Sequence, residues 1–290
     1  MTFQPKTILM PFGFNDASFA AWSFARSLAA RFDARLIALH VHEPSPEIGD
    51  YPALRQTPEE KDAARRRLGE TLGRGVQIRF GEGRVVDVIL EAAAAEKADL
   101  ILMATEGRTG LHRFLGSGSV TEAVVRRSTL PVLSVHGHAS IPVSVLAPLN
   151  LAAYSYAGLD AARAFSGALD ANLTLLNVDE RSESPSRSAD HLELRALAEG
   201  LGAQAASRAG RAVDGILAEA PAHGLVVLVA RRKGALRDAF LGTTAEQVLR
   251  RCPVPVLSVP EGWASRPGAG KGNRKRQASS TEAFRPHRRS

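Results

Sequence analysis

Gly118-Ser-Val-Thr-Glu-Ala-Val-Val-Arg-Arg-Ser-Thr-Leu-Pro-Val-Leu-Ser-Val135 holds a glycine, a hydroxyl residue, a short helical stretch and then an apolar run. The same order returns at Gly242-Thr-Thr-Ala-Glu-Gln-Val-Leu-Arg-Arg-Cys-Pro-Val-Pro-Val-Leu-Ser-Val259. Internal repetition decides architecture before any single motif does. Working upstream, seven residues separate Gly110 from Gly118, and seven separate Gly234 from Gly242. Before them, Asp99-Leu-Ile-Leu-Met103 matches Gly224-Leu-Val-Val-Leu228 as a short buried strand. Gly83-Arg-Val-Val-Asp-Val-Ile-Leu90 matches Gly210-Arg-Ala-Val-Asp-Gly-Ile-Leu217. The matched segments open with Thr7-Ile-Leu-Met-Pro11 and Ser144-Val-Leu-Ala-Pro148, 137 positions apart. Each opening is followed by an alanine-rich helical pattern, Ala17 to Ala30 and Ala153 to Ala168. A strand follows each, Ala34 to Val41 and Ala171 to Val178.

Each copy therefore reads β-α-β-α-β-α-β-α-β. Short continuous apolar strands alternating with helices give a parallel sheet covered on both faces, with right-handed crossovers. The expected fold is α/β: two tandem doubly wound domains, each with a five-stranded parallel sheet. Ligands of such sheets sit beyond the carboxyl ends of the strands, where the strand order reverses. In copy one that edge holds Pro11–Asn15, Val41–Glu43 and Met103–Ser119. In copy two it holds Pro148–Leu151, Val178–Glu180 and Val229–Thr243.

The loop from Ala104 to Val120 carries Gly107, Gly110, Gly116 and Gly118, with Arg108, Arg113 and Ser119 among them. Glycines let backbone approach a ligand closely, and the following helix turns its first N–H groups toward the loop. That combination suits a phosphate. The same glycines could equally shape a loop, with Ser119 capping the helix. No Gly-Lys-Ser/Thr follows, so the loop is not a P-loop. Gly81-Glu-Gly83 starts like a dinucleotide fingerprint, but Val86 stands at the third glycine position.

Charge narrows the function classes. The 290 residues carry 37 Lys+Arg against 30 Asp+Glu, a net +7. Residues 264–290 hold eight basic residues and Glu282 as their only acid, so the whole excess belongs to the tail and the body is neutral. Phe284 is the tail's only large apolar residue, too little to fold on. Cys252 is the only cysteine, which excludes a disulfide framework and a multi-cysteine metal site. Ser128 to Leu159 lacks charge but is broken by Pro131, Pro142 and Pro148, so it reads as strand, linker and strand rather than a membrane span. No signal-peptide pattern opens the chain, and a cytoplasmic location is expected.

With these motifs in hand, the sequence resembles a tandem, UspA-like member of the universal stress protein family, over about residues 5–136 and 142–260. Gly118-Ser-Val-Thr-Glu122 and Leu130-Pro-Val-Leu-Ser-Val135 carry the resemblance most specifically. It implies the same five-stranded layer, of the adenine nucleotide alpha hydrolase-like class. It also implies pairing of fifth strands, here between the two copies as an intrachain pseudo-dimer, with a further homodimer open. The implied domains are 1–139, 140–262 with a degenerate site, and a basic disordered tail over 263–290.

Some members of the family bind ATP. Carried over by position, Pro11, Val41 and Met103 line the adenosine end. Gly107, Arg108, Gly110, Gly118, Ser119 and Val120 hold the phosphates, with ATP and Mg as the implied cofactors. The equivalents in copy two are Gly234, Gly242, Thr243 and Thr244. Three features depart from the ATP-binding pattern. Gly13 and Asn150 stand where an Asp is usual, Ala104 replaces the loop's first glycine, and Gly107 to Gly118 is one residue longer. Copy two has Arg231-Arg232-Lys233 where copy one has Gly107-Arg108-Thr109.

His40 with His42, and His136 with His138, are spaced to share a strand face, but no carboxylate spacing makes either a metal site. No nucleophile elbow or conventional nucleophile–base pair is legible, so no catalytic residue is assigned. Cys252 reads as a small packed residue. Glu43 to Asp62, with Pro44, Pro46, Pro52 and Pro58, reads as a long surface loop or a lid before a charged helix, Pro58 to Leu72. The expected function is a stress-response protein that binds a ligand or partner without catalysis. The alternative is an ATP-binding switch with slow hydrolysis or autophosphorylation at the glycine loop. The tail is either a solvated extension or a nonspecific contact for nucleic acid or acidic surfaces.

Overall fold

The computed structural model describes residues 3–43, 58–73, 75–105, 120–151, 156–180, 189–230, 232–233, 240–261 and 263. The glycine loop 106–119, the segment 44–57 and the tail from 264 lie outside the described residues.

Repeat one runs β1 (Thr7–Pro11), α1 (Asp16–Phe32), β2 (Arg35–His42), α2 (Pro58–Leu72), β3 (Gln77–Glu82), α3 (Val85–Ala95), β4 (Leu100–Thr105), α4 (Val120–Arg127) and β5 (Val132–His136). Repeat two runs β6 (Ser144–Leu149), α5 (Tyr156–Leu169), β7 (Asn172–Asp179), α6 (Ala189–Leu201), β8 (Gln204–Ala209), α7 (Ala212–Glu219) and β9 (Leu225–Ala230). A two-rung hairpin of β10 (Arg232–Lys233) and β11 (Phe240–Leu241) comes next, then α8 (Thr243–Arg251) and β12 (Val256–Pro260). No described helix is long and apolar enough to cross a membrane.

Local chemistry sets the element ends. Asn15 caps α1 by accepting from the Ser18 N–H at 3.0 Å, and Asp33 closes that helix in the left-handed region at φ 50°. The Asp99 carboxylate accepts from the N–H groups of Lys6 and Thr7, which docks the start of β1 beside β4.

The long strands form one ten-stranded sheet in the order β3-β2-β1-β4-β5-β12-β9-β6-β7-β8. Within each repeat every pair is parallel. The two fifth strands meet antiparallel, with Leu133 opposite Leu257 at the centre of the ladder. Alternation sorts the strand residues onto two faces. Ile8, Met10, Ala38 and Leu102 share a core with α1 and α2, and this core continues into α5 and α6 of repeat two. Leu9, Ile37, Leu39 and Ile101 share the other with α3, α4, α7 and α8. Both cores run through the seam, so the halves are one packed body. The edge strands β3 and β8 depart from the continuous apolar run expected of buried strands, because each has a neighbour on one side only.

Side chains also cross the seam. Phe165 of α5 stacks on Phe3 at 5.1 Å and meets Phe32 of α1 edge-on at 5.7 Å, while Trp263 packs against Phe3. On the other face Arg250 of α8 donates through Nε and Nη2 to the two carboxylate oxygens of Glu122 on α4. The Glu122 side chain is 7% exposed and that of Arg250 is 52% exposed.

Candidate functional site

The antiparallel seam has a geometric consequence. The carboxyl ends of β1, β2, β4 and β5 point one way, and those of β6, β7, β9 and β12 point the other. Each repeat therefore presents its candidate edge at an opposite end of the sheet.

At each edge the sheet splits. β1 and β4 pair only at Ile8 with Leu100 and Leu9 with Ile101. Their outer neighbours stay paired much further, to Pro11 with Leu39 and to Thr105 with His136. β1 and β4 thus diverge beyond Leu9, and a crevice opens between Pro11 and Thr105. Repeat two behaves alike. β6 and β9 pair only at Val145 with Leu225 and Leu146 with Val226, whereas β6–β7 and β9–β12 continue to Leu149 and Ala230. This is the reversal point of strand order.

The expected site residues distribute as follows. Pro11 ends β1 at the crevice and is half-buried. Val41 lies near the end of β2, opposite Gly81 of β3. Met103 is 4% exposed and packs in the core shared with α3 and α4. Val120 is the first residue of α4 and is 42% exposed, so that helix starts at the open edge. Gly107, Arg108, Gly110, Gly118 and Ser119 lie outside the described residues, as does Gly234. In repeat two Gly242 is the N-cap of α8, with no side-chain cap, and Thr243 and Thr244 open the helix.

Gly13 occupies the position where the resemblance expects an acid. Its N–H donates to the Ser18 hydroxyl at 3.1 Å. A Cβ there would find its nearest neighbours at 3.7 Å, on Asn15 and Ser18, an ordinary contact distance. Gly81 has a different reason to be glycine: a Cβ would come within 2.2 Å of Val88 on α3. In repeat two the glycine stands on the helix instead, where Gly215 on α7 leaves room for Val178 on β7. The Gly81-Glu-Gly83 pattern is thus a helix–strand packing device.

His40 donates through Nδ1 to the Phe12 carbonyl at 2.9 Å, and its ring lies between Phe14 and Phe80. Among the described residues no group of three or more His, Cys, Asp or Glu side chains could hold a metal ion. Cys252 is buried, and burial pushes its thiol up to about 11. Two further residues stand at its rim: Thr105, inside the expected edge Met103–Ser119 but given no role there, and His136, read only with His138 as a strand-end pair. Thr105 ends β4, and its Oγ1 lies 2.5 Å from Nδ1 of His136 at the end of β5. The signal for them was their place as the final rung of the β4–β5 ladder, which requires the register.

Comparison with known proteins follows this geometry. A universal stress protein from Methanocaldococcus jannaschii is 35% identical over 140 residues, covering 45% of this chain and 81% of that protein. A universal stress protein from Thermus aquaticus is 34% identical over 141 residues, covering 45% of this chain and 98% of its own length. Among solved structures, a universal stress protein from Archaeoglobus fulgidus aligns with a TM-score of 0.69 at 22% identity, over 90% of this chain and 100% of that one. That alignment extends the likeness in fold across both repeats. The model of the universal stress protein family matches twice, at residues 5–136 and 144–260, and the chain belongs to that family.

Proposed function

We propose that this universal stress protein binds an adenine nucleotide, ATP with Mg, in the crevice of repeat one. It acts as a ligand-responsive stress-response module without catalysis, and the second edge is degenerate. The observation that supports this reading most is the divergence of β1 from β4 after two rungs, with the amino end of α4 opening beside it. An α-helix start favours an anion there. In this reading Pro11 and Val41 border the adenosine, Gly107, Arg108, Gly110, Gly118, Ser119 and Val120 hold the phosphates, and Met103 supports them from the core. The two repeats, 1–139 and 140–262, act as one intrachain pair, and 263–290 is an appended tail.

Gly13 makes the affinity weak, because a charge-assisted hydrogen bond from an acid there would be worth about 1.5–3 kcal/mol. Gly13→Asp has room for its Cβ, so it should tighten ATP binding roughly tenfold or more. Calorimetry on the full chain tests this. Weak heat in the parent, tighter binding in Gly13→Asp and loss in Gly118→Asp support the site. No heat at millimolar ATP in either the parent or Gly13→Asp refutes it. The concentration of the net charge in 264–290 favours a second, separable activity: nonspecific, salt-sensitive contact with nucleic acid. A mobility shift that is equal for the full chain and a chain ending at Trp263 dismisses it.

A further inference from the structure

On the sheet face that α1 and α2 cover, three rings line up across the carboxyl ends of β1, β2 and β3. His40 of β2 meets Phe14, just past β1, at 5.0 Å and Phe80 of β3 at 5.9 Å, both edge-on. Above them α2 carries Arg65, Arg66 and Arg67 in succession, and all three are exposed. The Arg65 guanidinium lies over Phe80 at 5.1 Å and that of Arg67 over Phe14 at 5.4 Å, so one helix caps both ends of the row. Phe19 of α1 joins the row through Phe12 and adds a ring that is 40% exposed.

Repeat two closes the same layer without these groups. Its rung Asn177–Ser207 corresponds to His40–Phe80. There the covering helix α6 reaches the outer residue through His191, whose Nδ1 lies 2.7 Å from the Ser207 hydroxyl. Arg65-Arg66-Arg67 therefore stands where repeat two has His191-Leu192-Glu193, and Phe14 stands where it has Leu151. Packing a helix on this edge of the sheet thus requires neither the rings nor the charges. Phe14 is also held at φ 56°, in the left-handed region that a bulky residue rarely adopts.

The positive charge here is local, since the body as a whole is neutral. Asp62 partly offsets Arg65 through an exposed pair at 3.4 Å. Arg35 and Arg79, beside β3, are engaged by Glu96. Among the described residues Arg66 and Arg67 make no ion pair, and Glu70 is the acid one turn further along α2. A guanidinium laid on a ring keeps a second face and an N–H edge for a partner, and the Arg65 side chain is 62% exposed. The face stacks on a nucleobase while the edge donates to phosphate. An acidic peptide would use the edge alone.

We propose that this face of repeat one binds single-stranded nucleic acid, with bases stacked on Arg65, Arg67 and Phe19 and phosphates held by the three arginines. Unstacked bases are what such planes accept, and the contacts carry no sequence preference. The face shares no residue with the nucleotide crevice or with the tail, so it stands apart from both readings above.

The test is the fluorescence anisotropy of a labelled oligouridylate of about 15 nucleotides, titrated with the full chain over a range of salt. The parent should bind. Arg66→Gln combined with Arg67→Gln should weaken binding several-fold and reduce the slope of log K against log salt by about 1.4, because each phosphate contact on a single strand contributes about 0.7. Phe19→Ala changes no charge, so it should weaken binding at an unchanged slope. A parent-like urea midpoint shows that each variant is folded. Equal binding by parent and arginine variant overturns the face and leaves the tail as the contact. A response to the arginines with none to Phe19→Ala, or displacement of the oligonucleotide by polyglutamate at equal charge, marks a site for acidic chains and overturns the assignment to nucleic acid. A duplex that binds as tightly as the single strand overturns it as well, as does an absence of binding at low salt.

Discussion

Replacing Arg250 by Met should unfasten the two repeats on one face of the sheet without disturbing either core. Arg250 makes a two-pronged contact with Glu122, whose side chain is 7% exposed. A hydrogen bond to a charged group contributes about 1.5–3 kcal/mol. Arg250 itself is half in water, so solvent screens its end of the pair and the lower part of that range applies. Met keeps most of the stem's packing. The expected loss is about 2 kcal/mol for the pair as a whole, or roughly 4–8 °C in Tm for a chain of this size. Urea unfolding followed by circular dichroism measures it, with an unchanged slope showing that stability alone has moved. Adding Glu122→Gln to Arg250→Met should cost much less than the sum of the two single losses, a coupling above about 1 kcal/mol. Arg126, which stands on α4 where Arg250 stands on α8, serves as the control. Among the described residues Glu246 pairs with Arg250 of its own helix, so Arg126→Met should cost little. A loss below about 0.5 kcal/mol for Arg250→Met, or strict additivity with Glu122→Gln, would refute the clasp.

Four further outcomes follow from the surroundings of single residues. Gly81→Ala should destabilise by about 1–3 kcal/mol in urea, since its Cβ meets Val88 at 2.2 Å, and Val88→Ala in the same chain should recover most of that. Gly69→Ala in α2 meets no heavy atom within 4 Å and should instead gain up to about 1 kcal/mol. Cys252, with its thiol pushed up to about 11, should react with Ellman's reagent far more slowly in the folded chain than in urea, and equal rates would show that the thiol is open. His136 has a folded pKa below its unfolded value, so the unfolded chain binds the extra proton first. Stability should then fall as pH drops from about 6.5 toward the folded pKa, and level off below it. His136→Gln should flatten that part of the urea-midpoint profile, and an unchanged profile would show that another group controls it.

The repeat was legible because its signals are local. Leu130 to Val135 and Val254 to Val259 declare buried strands by composition, and Gly118 and Gly242 mark helix starts by position. The pairing of the two fifth strands came from family likeness, since no residue in β5 or β12 states which strand it will meet. The crevice was placeable from strand order, but its opening depends on where the β1–β4 ladder stops, a property of sheet twist that no single residue encodes. Gly81 shows the converse. It looked like half of a nucleotide motif because a glycine that admits Val88 and a glycine that admits a phosphate are the same residue type. Only the three-dimensional neighbour distinguishes them.

The contact between Thr105 and His136 was missed for a related reason. They are 31 residues apart, and their meeting depends on β4 and β5 being in one register, so spacing along the chain carries no trace of it. His136 instead drew attention through His138, a neighbour in sequence that shares the adjoining cavity and contributes nothing to the Thr105 bond. The comparison between repeats would have been the better guide. Most of the final strands agree residue for residue, from Pro131 with Pro255 to Val135 with Val259, and the agreement ends at His136 against Pro260. Two copies under the same packing demands keep the residues that packing requires. They part at one rung of the ladder, each beside its own crevice at its own end of the sheet. That rung is therefore the place where the two edges can come to differ in chemistry while the sheet that carries them stays the same.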